Sequence, residues 1–210
     1  MPKPILQTLI VEDDCDHAEL LQIALSRLKD LEFEITRCMT CTEAVHELSA
    51  SQFDLVFLDY WLDHGETGDM VLDEVQRSKS CIPVVVTSSA DDIYLATTLT
   101  RAGASRYLCK RDLNTKLLSQ TIREALQDSQ ASRRDHEDQT LAAETLDQLT
   151  PREREVAGLI AEGLLSKQIA GRLGCAEGTI NLHRSHIMSK TGAQSVADVV
   201  RMVLMSNGKA

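Results

Sequence analysis

The sequence predicts an α/β domain built on a doubly wound, five-stranded parallel sheet, followed by a smaller all-α domain. In residues 1–126, short apolar runs typical of strands alternate five times with helical patterns, which is the order that builds a parallel sheet covered on both faces. From residue 149 onward the patterns are only helical. Residues 127–140 are almost without apolar side chains. We therefore predict domains at 1–126 and 146–210, joined by a linker at 127–145.

The central strand of the sheet lies within residues 53–62. Leu55 to Leu58 are all apolar, as expected for a strand that is buried on both faces. The run ends on a carboxylate, Asp59, and the carboxyl ends of parallel strands are where open sheets bind ligands. Asp59 is therefore the first candidate for chemistry, although a strand-end Asp can also simply cap a loop.

The remaining elements of the first domain follow from the same patterns. We predict the other strands at residues 9–11, 34–38, 83–86 and 106–109. We predict helices at residues 16–29, from a capping Thr42 onward, and at 70–77, 91–101 and 113–126.

Acidic, hydroxyl and basic side chains follow these strands. Glu12 and Asp13 come after the first strand, Asp59 ends the third, Thr87 follows the fourth and Lys110 the fifth. Clustered carboxylates need a counter-charge to stay ionised, and Mg²⁺ prefers such oxygen ligands. The pattern predicts a Mg²⁺ site in which Asp59 is a nucleophile, while Lys110 and Thr87 position transferring phosphoryl oxygens.

Composition and charge narrow the class of protein. The chain is 43% apolar and 26% charged, as in globular proteins, and no apolar run is long enough for a membrane span. The start M-P-K-P lacks the apolar core of a signal peptide, so we expect a cytoplasmic protein with six reduced cysteines. The net charge of −10 divides into −9 for residues 1–126, −4 for 127–148 and +3 for 149–210. A polyanionic partner is therefore expected at the C-terminal domain.

The C-terminal domain begins with a clear helix start. Thr150, Pro151 and Glu153 fit an N-cap, a first helical residue and a capping box. A second helix is expected to begin at a capping Ser166 and to end at Gly174, and further helices are expected at residues 179–190 and 195–205. Short helices joined by a tight turn are typical of a helix-turn-helix motif, although a small helical bundle would show a similar periodicity.

The first domain resembles the receiver domain of bacterial two-component response regulators, which has a flavodoxin-like fold. The resemblance rests on the motifs L-I-V-E-D-D, L-V-F-L-D, P-V-V-V-T-S and R-Y-L-C-K in this order. It implies that Asp59 accepts a phosphoryl group, that Glu12, Asp13 and Asp59 hold Mg²⁺, and that Thr87 and Tyr107 form a switch pair. The family usually has Pro after the lysine, where this chain has Arg111.

The second domain resembles the LuxR/NarL-type DNA-binding domain. The motifs are L-T-P-R-E-R-E-V, then E-G-L-x-S-K-Q-I-A-x-R-L-G, then T-I-N-x-H-R-x-x-I-M-x-K. The resemblance makes residues 179–190 the recognition helix. The DNA contacts that it implies are Lys167, Thr179, Asn181, His183, Arg184 and Lys190.

These DNA-contact assignments differ in kind. Lys167 and Arg184 are expected at phosphates and Asn181 at base edges, while His183 is expected either at a phosphate or in packing. Family members often have Ser at 176 and Lys at 178 and 181, but this chain has Ala176, Gly178 and Asn181. Fewer cations predict a shallower salt dependence of binding, and Asn can read adenine.

Together these patterns predict a transcriptional response regulator that is not an enzyme. We expect a sensor histidine kinase as phosphodonor and a homodimer that binds an inverted repeat in double-stranded DNA, with RNA polymerase as a further candidate partner. The linker is either a tether or an extended helix, and a dimerising coiled coil is the third reading. The rival functions are a Mg²⁺-dependent phosphohydrolase and a receiver that signals without phosphate.

Overall fold

The computed structural model describes residues 3–78, 80–89 and 93–208, without the side chains of His64 and Ile93. The chain divides between Arg133 and Arg134 into two compact units. No helix within the described residues combines the length and the apolar character that crossing a membrane requires.

The first unit contains the predicted parallel sheet. Its strands are β1 (Ile5–Val11), β2 (Glu32–Cys38), β3 (Leu55–Asp59), β4 (Val84–Ser88) and β5 (Arg106–Cys109). They are ordered β2-β1-β3-β4-β5, and every neighbouring pair is parallel. The predicted fold class is therefore confirmed, and β3 lies in the centre of the sheet with all five of its residues buried.

Helices cover both faces of this sheet. They are α1 (Cys15–Ser26), α2 (Cys41–Ala50), α3 (Asp69–Ser78), α4 (Ile93–Arg101) and α5 (Thr115–Asp147). Successive residues of a strand point to opposite faces, so Val56 and Leu58 pack in one hydrophobic core while Leu55 and Phe57 pack in the other. Two separate cores therefore anchor β3 and fix the position of its last residue.

Several predicted boundaries differ from the structure. The cap of α2 is Thr40 rather than Thr42, because the Thr40 hydroxyl accepts the backbone N–H of Glu43. Strand β4 extends beyond the predicted residue 86, so Thr87 lies within the sheet. The predicted helix at 91–101 is observed from Ile93, and its first two residues lie outside the described part of the chain.

Helix α5 runs without interruption through most of the predicted linker, since Thr115–Asp147 contains neither Gly nor Pro. Its first part is held against the sheet by Arg106 of β5, whose guanidinium lies 3.3 Å from Glu124 and 2.7 Å from Asp128. Residues 134–140 are exposed except for a half-buried Gln139. The domain boundaries at 126 and 146 stay a prediction, since the two compact units meet within α5.

The second unit is helical in all its described elements after α5. These are α6 (Pro151–Ala161), α7 (Ser166–Leu173), α8 (Glu177–Thr191) and α9 (Val196–Ser206). They enclose one core that includes Val156, Ile169, Ile180 and Ile187. The predicted capping box is present, since the Thr150 hydroxyl accepts from the N–H of Glu153, whose side chain accepts from the N–H of Thr150.

Two helix starts in this unit were predicted wrongly. Leu165, not Ser166, occupies the N-cap of α7, and Gln168 satisfies its backbone N–H through Oε1. Helix α8 begins at Glu177, two residues before the predicted start, with Ala176 as an N-cap that offers no side-chain acceptor. The predicted helix ends are confirmed: Gly174 and Gly192 adopt φ values of 64° and 69°, which glycine reaches without strain.

Candidate functional site

Three carboxylates meet at the carboxyl edge of the sheet. Glu12 and Asp13 directly follow β1, and Asp59 ends the neighbouring strand β3. Each offers an oxygen, and these three oxygens lie within 4.8 Å of one another. Glu12 is 3% exposed and Asp59 7%, so water screens their mutual repulsion poorly.

Lys110 supplies a positive charge to this cluster. It follows β5, and its Nζ lies 2.7 Å from Asp59 Oδ2 and 2.7 Å from Glu12 Oε2. Burial lowers the pKa of the ammonium, but the hydrogen bonds to Asp59 and Glu12 outweigh burial, so this pKa lies above its ordinary value. Lys110 therefore stays charged in the site.

One ammonium does not neutralise three acids. Burial raises the pKa of Glu12 from 4.5 to about 7, and the charge of Asp59 adds to this rise, while the hydrogen bond from Lys110 opposes it. A second cation would relieve this strain on the ionised form. Each of the three residues offers a carboxylate oxygen, and such oxygens suit a hard divalent cation such as Mg²⁺. The residues present therefore fit the ion that the sequence predicts.

Backbone N–H groups and one guanidinium hold the acids in place. Asp13 Oδ2 accepts from the N–H of Asp63 at 3.0 Å, and Asp59 Oδ1 accepts from the N–H of Trp61 at 3.2 Å. Arg37 of β2 donates to the carbonyl of Glu12 at 3.2 Å and to that of Asp13 at 3.4 Å. The sequence reading missed Arg37, although the one basic residue of a strand beside β1 is a usable signal.

Thr87 lies beside Asp59 in the sheet. The two residues are partners in the β3–β4 register, and the buried Thr87 hydroxyl donates to the carbonyl of Leu58 at 3.4 Å. Tyr107 of β5 is half-buried, pairs with Val86 and packs against one of the two cores. The structure thus brings the predicted phosphoryl-site residues to one edge of the sheet, and the predicted switch residues Thr87 and Tyr107 lie on the adjacent strands β4 and β5.

His17 is a further neighbour that the sequence reading missed. It lies in the first turns of α1, and its Nδ1 is 3.3 Å from Lys110 Nζ, 3.4 Å from Asp14 Oδ2 and 3.7 Å from Glu12 Oε1. Asp14 caps the same helix, since its carboxylate accepts the N–H groups of Asp16 and His17. The usable signal is position: a residue four after Asp13, one turn into the helix, lies back over the strand end.

The second unit exposes most of the predicted DNA-contact residues on α7 and α8. Lys167, Thr179 and Asn181 are exposed, and Arg184 is half-buried. His183 is half-buried, and its Nδ1 is enclosed without a hydrogen-bond partner within the described residues.

Lys190 is the exception, because its ammonium binds within the unit. Its Nζ donates to Oε2 of the buried Glu153 at 2.7 Å. This bond lowers the pKa of Glu153 to about 2, with the Thr150 backbone bond adding to the effect. The end of α8 is thereby tied to the start of α6, and the predicted DNA contact of Lys190 stays untested.

Two family models match the chain. "Response regulator receiver domain" matches residues 8–123, and "Bacterial regulatory proteins, luxR family" matches residues 147–203. The first covers more than half of the sequence, and together the two matches reproduce the order that the motifs predict.

Several curated proteins are similar to the chain. Nodulation protein W of Bradyrhizobium diazoefficiens is 33% identical over 61% of this chain, a match that spans 56% of that protein. The C4-dicarboxylate transport transcriptional regulatory protein DctR of Rhodobacter capsulatus is 32% identical over 66% of this chain and 71% of its own length. The tetrathionate response regulatory protein TtrR of Salmonella typhimurium is 28% identical over 83% of this chain and 82% of its own length.

Solved structures extend the similarity to both units. The response regulator StyR has a TM-score of 0.67 and 30% identity, covering 96% of this chain and 98% of its own. Full-length FixJ from B. japonicum has a TM-score of 0.56 at 22% identity, with 97% and 98% coverage, and shows the fold alone. The chain thus belongs to the two-component response regulators that carry a LuxR-type DNA-binding domain, a family of transcription factors rather than enzymes.

Proposed function

We propose that Asp59 accepts a phosphoryl group from a sensor histidine kinase and that this modification controls DNA binding by the second unit. The observation that carries the proposal is Asp59 itself, nearly buried between two further carboxylates and 2.7 Å from the Lys110 ammonium. A structural aspartate needs no such surroundings, whereas phosphoryl transfer uses each of them.

In the transfer step, an Asp59 oxygen attacks the phosphorus of a phosphohistidine. The new O–P bond forms as the P–N bond breaks, and the imidazole nitrogen keeps the electron pair. Lys110 and the Thr87 hydroxyl donate to phosphoryl oxygens and stabilise the charge that they carry. Glu12, Asp13 and Asp59 would hold Mg²⁺, which supplies further charge neutralisation when it is bound.

The positions of Thr87 and Tyr107 on the neighbouring strands β4 and β5 support their proposed role as a switch pair. The Thr87 hydroxyl donates to a backbone carbonyl at 3.4 Å, a long hydrogen bond. A phosphoryl oxygen on the neighbouring Asp59 is a better acceptor because it is charged. We propose that the hydroxyl turns toward it and that Tyr107, half-buried one strand away, moves inward behind it.

DNA binding is assigned to the exposed face of α7 and the start of α8. We propose that Lys167 and Arg184 contact DNA phosphates and that Thr179 and Asn181 face the major groove. His183 would contact a phosphate or serve in packing. For Lys190 we propose a structural role, since Glu153 occupies its ammonium. A homodimer would present two such helices to the half-sites of an inverted repeat, and RNA polymerase is the further partner that transcriptional control implies.

The test of phosphoryl transfer uses the full chain, acetyl phosphate and Mg²⁺. Intact-mass measurement should show the gain of one phosphoryl group, which hydroxylamine should release as expected for an acyl phosphate. Asp59→Asn should gain none. Asp63→Asn is the matched control, since its contribution to the site is a backbone N–H, and it should react like the wild type.

DNA binding is then measured with the phosphorylated and unphosphorylated chain on sites selected from a random pool. Phosphorylation should change the affinity and the mass of the complex. Unchanged binding, or regulated binding by Asp59→Asn, would argue for signalling without phosphate. Continuous release of inorganic phosphate from phosphate esters would instead favour a phosphohydrolase.

A further inference from the structure

Among the described residues, Lys110 has three acceptors around its ammonium, and one of them is not a carboxylate. Its Nζ is 2.7 Å from Asp59 Oδ2, 2.9 Å from Glu12 Oε1 and 3.3 Å from His17 Nδ1. An ammonium carries three N–H donors and no acceptor, so three partners are what a 13% exposed lysine side chain needs.

A hydrogen bond across this contact requires one particular tautomer of His17. Because the ammonium has no lone pair, Nδ1 must accept, and the imidazole proton then lies on Nε2. An imidazolium at this distance would place two positive charges in contact. The carboxylates that also face Nδ1 are Asp14 and Glu12, at 3.4 and 3.7 Å, so the Lys110 ammonium at 3.3 Å is its nearest polar neighbour of the three.

The three acceptors differ in what else they are used for. Under the proposed function, Glu12 and Asp59 share their oxygens with a divalent cation, whose charge also repels the ammonium. His17 lies outside the group of three carboxylates that would hold this ion. Of these three partners of Lys110, it is the one whose acceptor atom the ion would not share.

We propose that His17 is a positioning residue that accepts a hydrogen bond from Lys110 through Nδ1 and so keeps the ammonium directed at the phosphoryl group on Asp59. The inference rests on the proposed function and adds a residue to it. Loss of one hydrogen bond to a charged group, weakened by the partial exposure of His17, should slow phosphorylation about five- to tenfold.

Three substitutions separate the acceptor from the rest of the side chain. In His17→Asn, the asparagine Oδ1 is bonded to Cγ, as Nδ1 is in histidine, and can therefore accept a hydrogen bond from Lys110. In His17→Gln, Oε1 is one atom further away, like Nε2. His17→Ala removes both. The acceptor model predicts near wild-type phosphorylation by acetyl phosphate for His17→Asn. For His17→Gln and His17→Ala it predicts a five- to tenfold lower maximal rate constant of phosphorylation, reached at a similar concentration of acetyl phosphate.

A second readout needs neither phosphate nor metal. The ¹⁵N shifts of the His17 ring in the metal-free full chain, assigned by their absence from His17→Asn, should show an unprotonated Nδ1. Urea unfolding followed by the single tryptophan, Trp61, should give similar stability for all three variants, because a partly exposed ring contributes little to folding.

The outcomes separate this inference from the proposed function. The inference is supported if the wild type is phosphorylated, His17→Gln and His17→Ala react slowly, and His17→Asn reacts at nearly the wild-type rate. The inference is overturned if all three variants are phosphorylated as fast as the wild type, if all three are equally slow, or if Nδ1 of His17 is protonated. Each of these results leaves the proposed function standing. A wild type that gains no phosphoryl group at Asp59 would overturn both.

Discussion

Replacing Glu12 by Gln should stabilise the metal-free first unit at pH 8, although it removes a proposed metal ligand. The folded chain binds a proton at Glu12 more tightly than the unfolded chain, since burial raises this pKa from 4.5 to about 7. Ionisation of Glu12 therefore destabilises the folded unit progressively between pH 4.5 and about 7, and fully above that range. With about 1.4 kcal/mol for each tenfold change in proton affinity, the cost at pH 8 is about 3 kcal/mol.

The assay is urea unfolding with a chelator present, followed by the fluorescence of Trp61. This is the only tryptophan of the chain and lies in the first unit, so the signal reports that unit alone. Glu12→Gln should gain up to about 3 kcal/mol over the wild type at pH 8 and much less at pH 4.5, where the wild-type carboxyl is protonated. Added Mg²⁺ should stabilise the wild type more than the variant.

Glu19→Gln is the matched control, since it makes the same change at an exposed position of α1. It should leave stability nearly unchanged at both pH values. The reasoning fails if Glu12→Gln gains nothing at pH 8, or if its gain is the same at pH 4.5, because ionisation of the buried Glu12 carboxyl would then not be its source.

Three further predictions concern other parts of the structure. Arg37→Ala removes the hydrogen bonds to the carbonyls of Glu12 and Asp13 and should weaken Mg²⁺ binding about tenfold, as measured by Trp61 fluorescence. Lys190→Met should lower the midpoint of thermal unfolding of the second unit at pH 7. The pKa of the partner carboxyl, Glu153, is lowered to about 2. The stabilisation by the Lys190–Glu153 ion pair is therefore fully present above pH 4.5, and the difference between the variant and the wild type should shrink as the pH falls toward 2. Asn181→Ala should relax base preference at one position by about 1–3 kcal/mol, whereas a Lys167→Ala control should weaken binding to all sequences and reduce the salt slope by about one.

The outcomes that would contradict these are specific. Unchanged Mg²⁺ affinity in Arg37→Ala would mean that the carbonyl contacts do not hold the acids in place. A Lys190→Met difference that persists at pH 2 would remove the ion pair as its cause. Uniform weakening by Asn181→Ala across all sequences would place this side chain at a phosphate instead.

The sequence predicts the sheet and the position of its acids well, because both depend on strong local patterns. A buried strand such as β3 needs a continuous apolar run, and the topology of a parallel sheet then brings Glu12, Asp59 and Lys110 together. What the sequence does not show is pairing between side chains far apart in the chain. The position of His17 after β1 indicates that it lies near the strand end, but nothing local indicates that Lys110 contacts it.

Helix boundaries were harder to predict for a different reason. At Thr40 and Thr42 two equivalent hydroxyls compete for one N-cap, and the backbone geometry decides between them. At α7 no side-chain cap is used, and Gln168 satisfies the backbone instead. The long α5 was only one of several readings, because its middle lacks the apolar periodicity on which helix prediction depends.

The middle of α5 is stabilised by fewer packing contacts than the part that lies against the sheet. Between residues 134 and 140 its backbone hydrogen bonds are formed while its side chains are largely surrounded by solvent, so little besides intrinsic propensity holds this segment in shape. Opening a turn there breaks almost no packing, whereas opening one near Ile122 would expose a core. Amide deuterium exchange should therefore be fastest here within the helix, and temperature or salt can change helicity at this point without disturbing the hydrophobic cores of the two units.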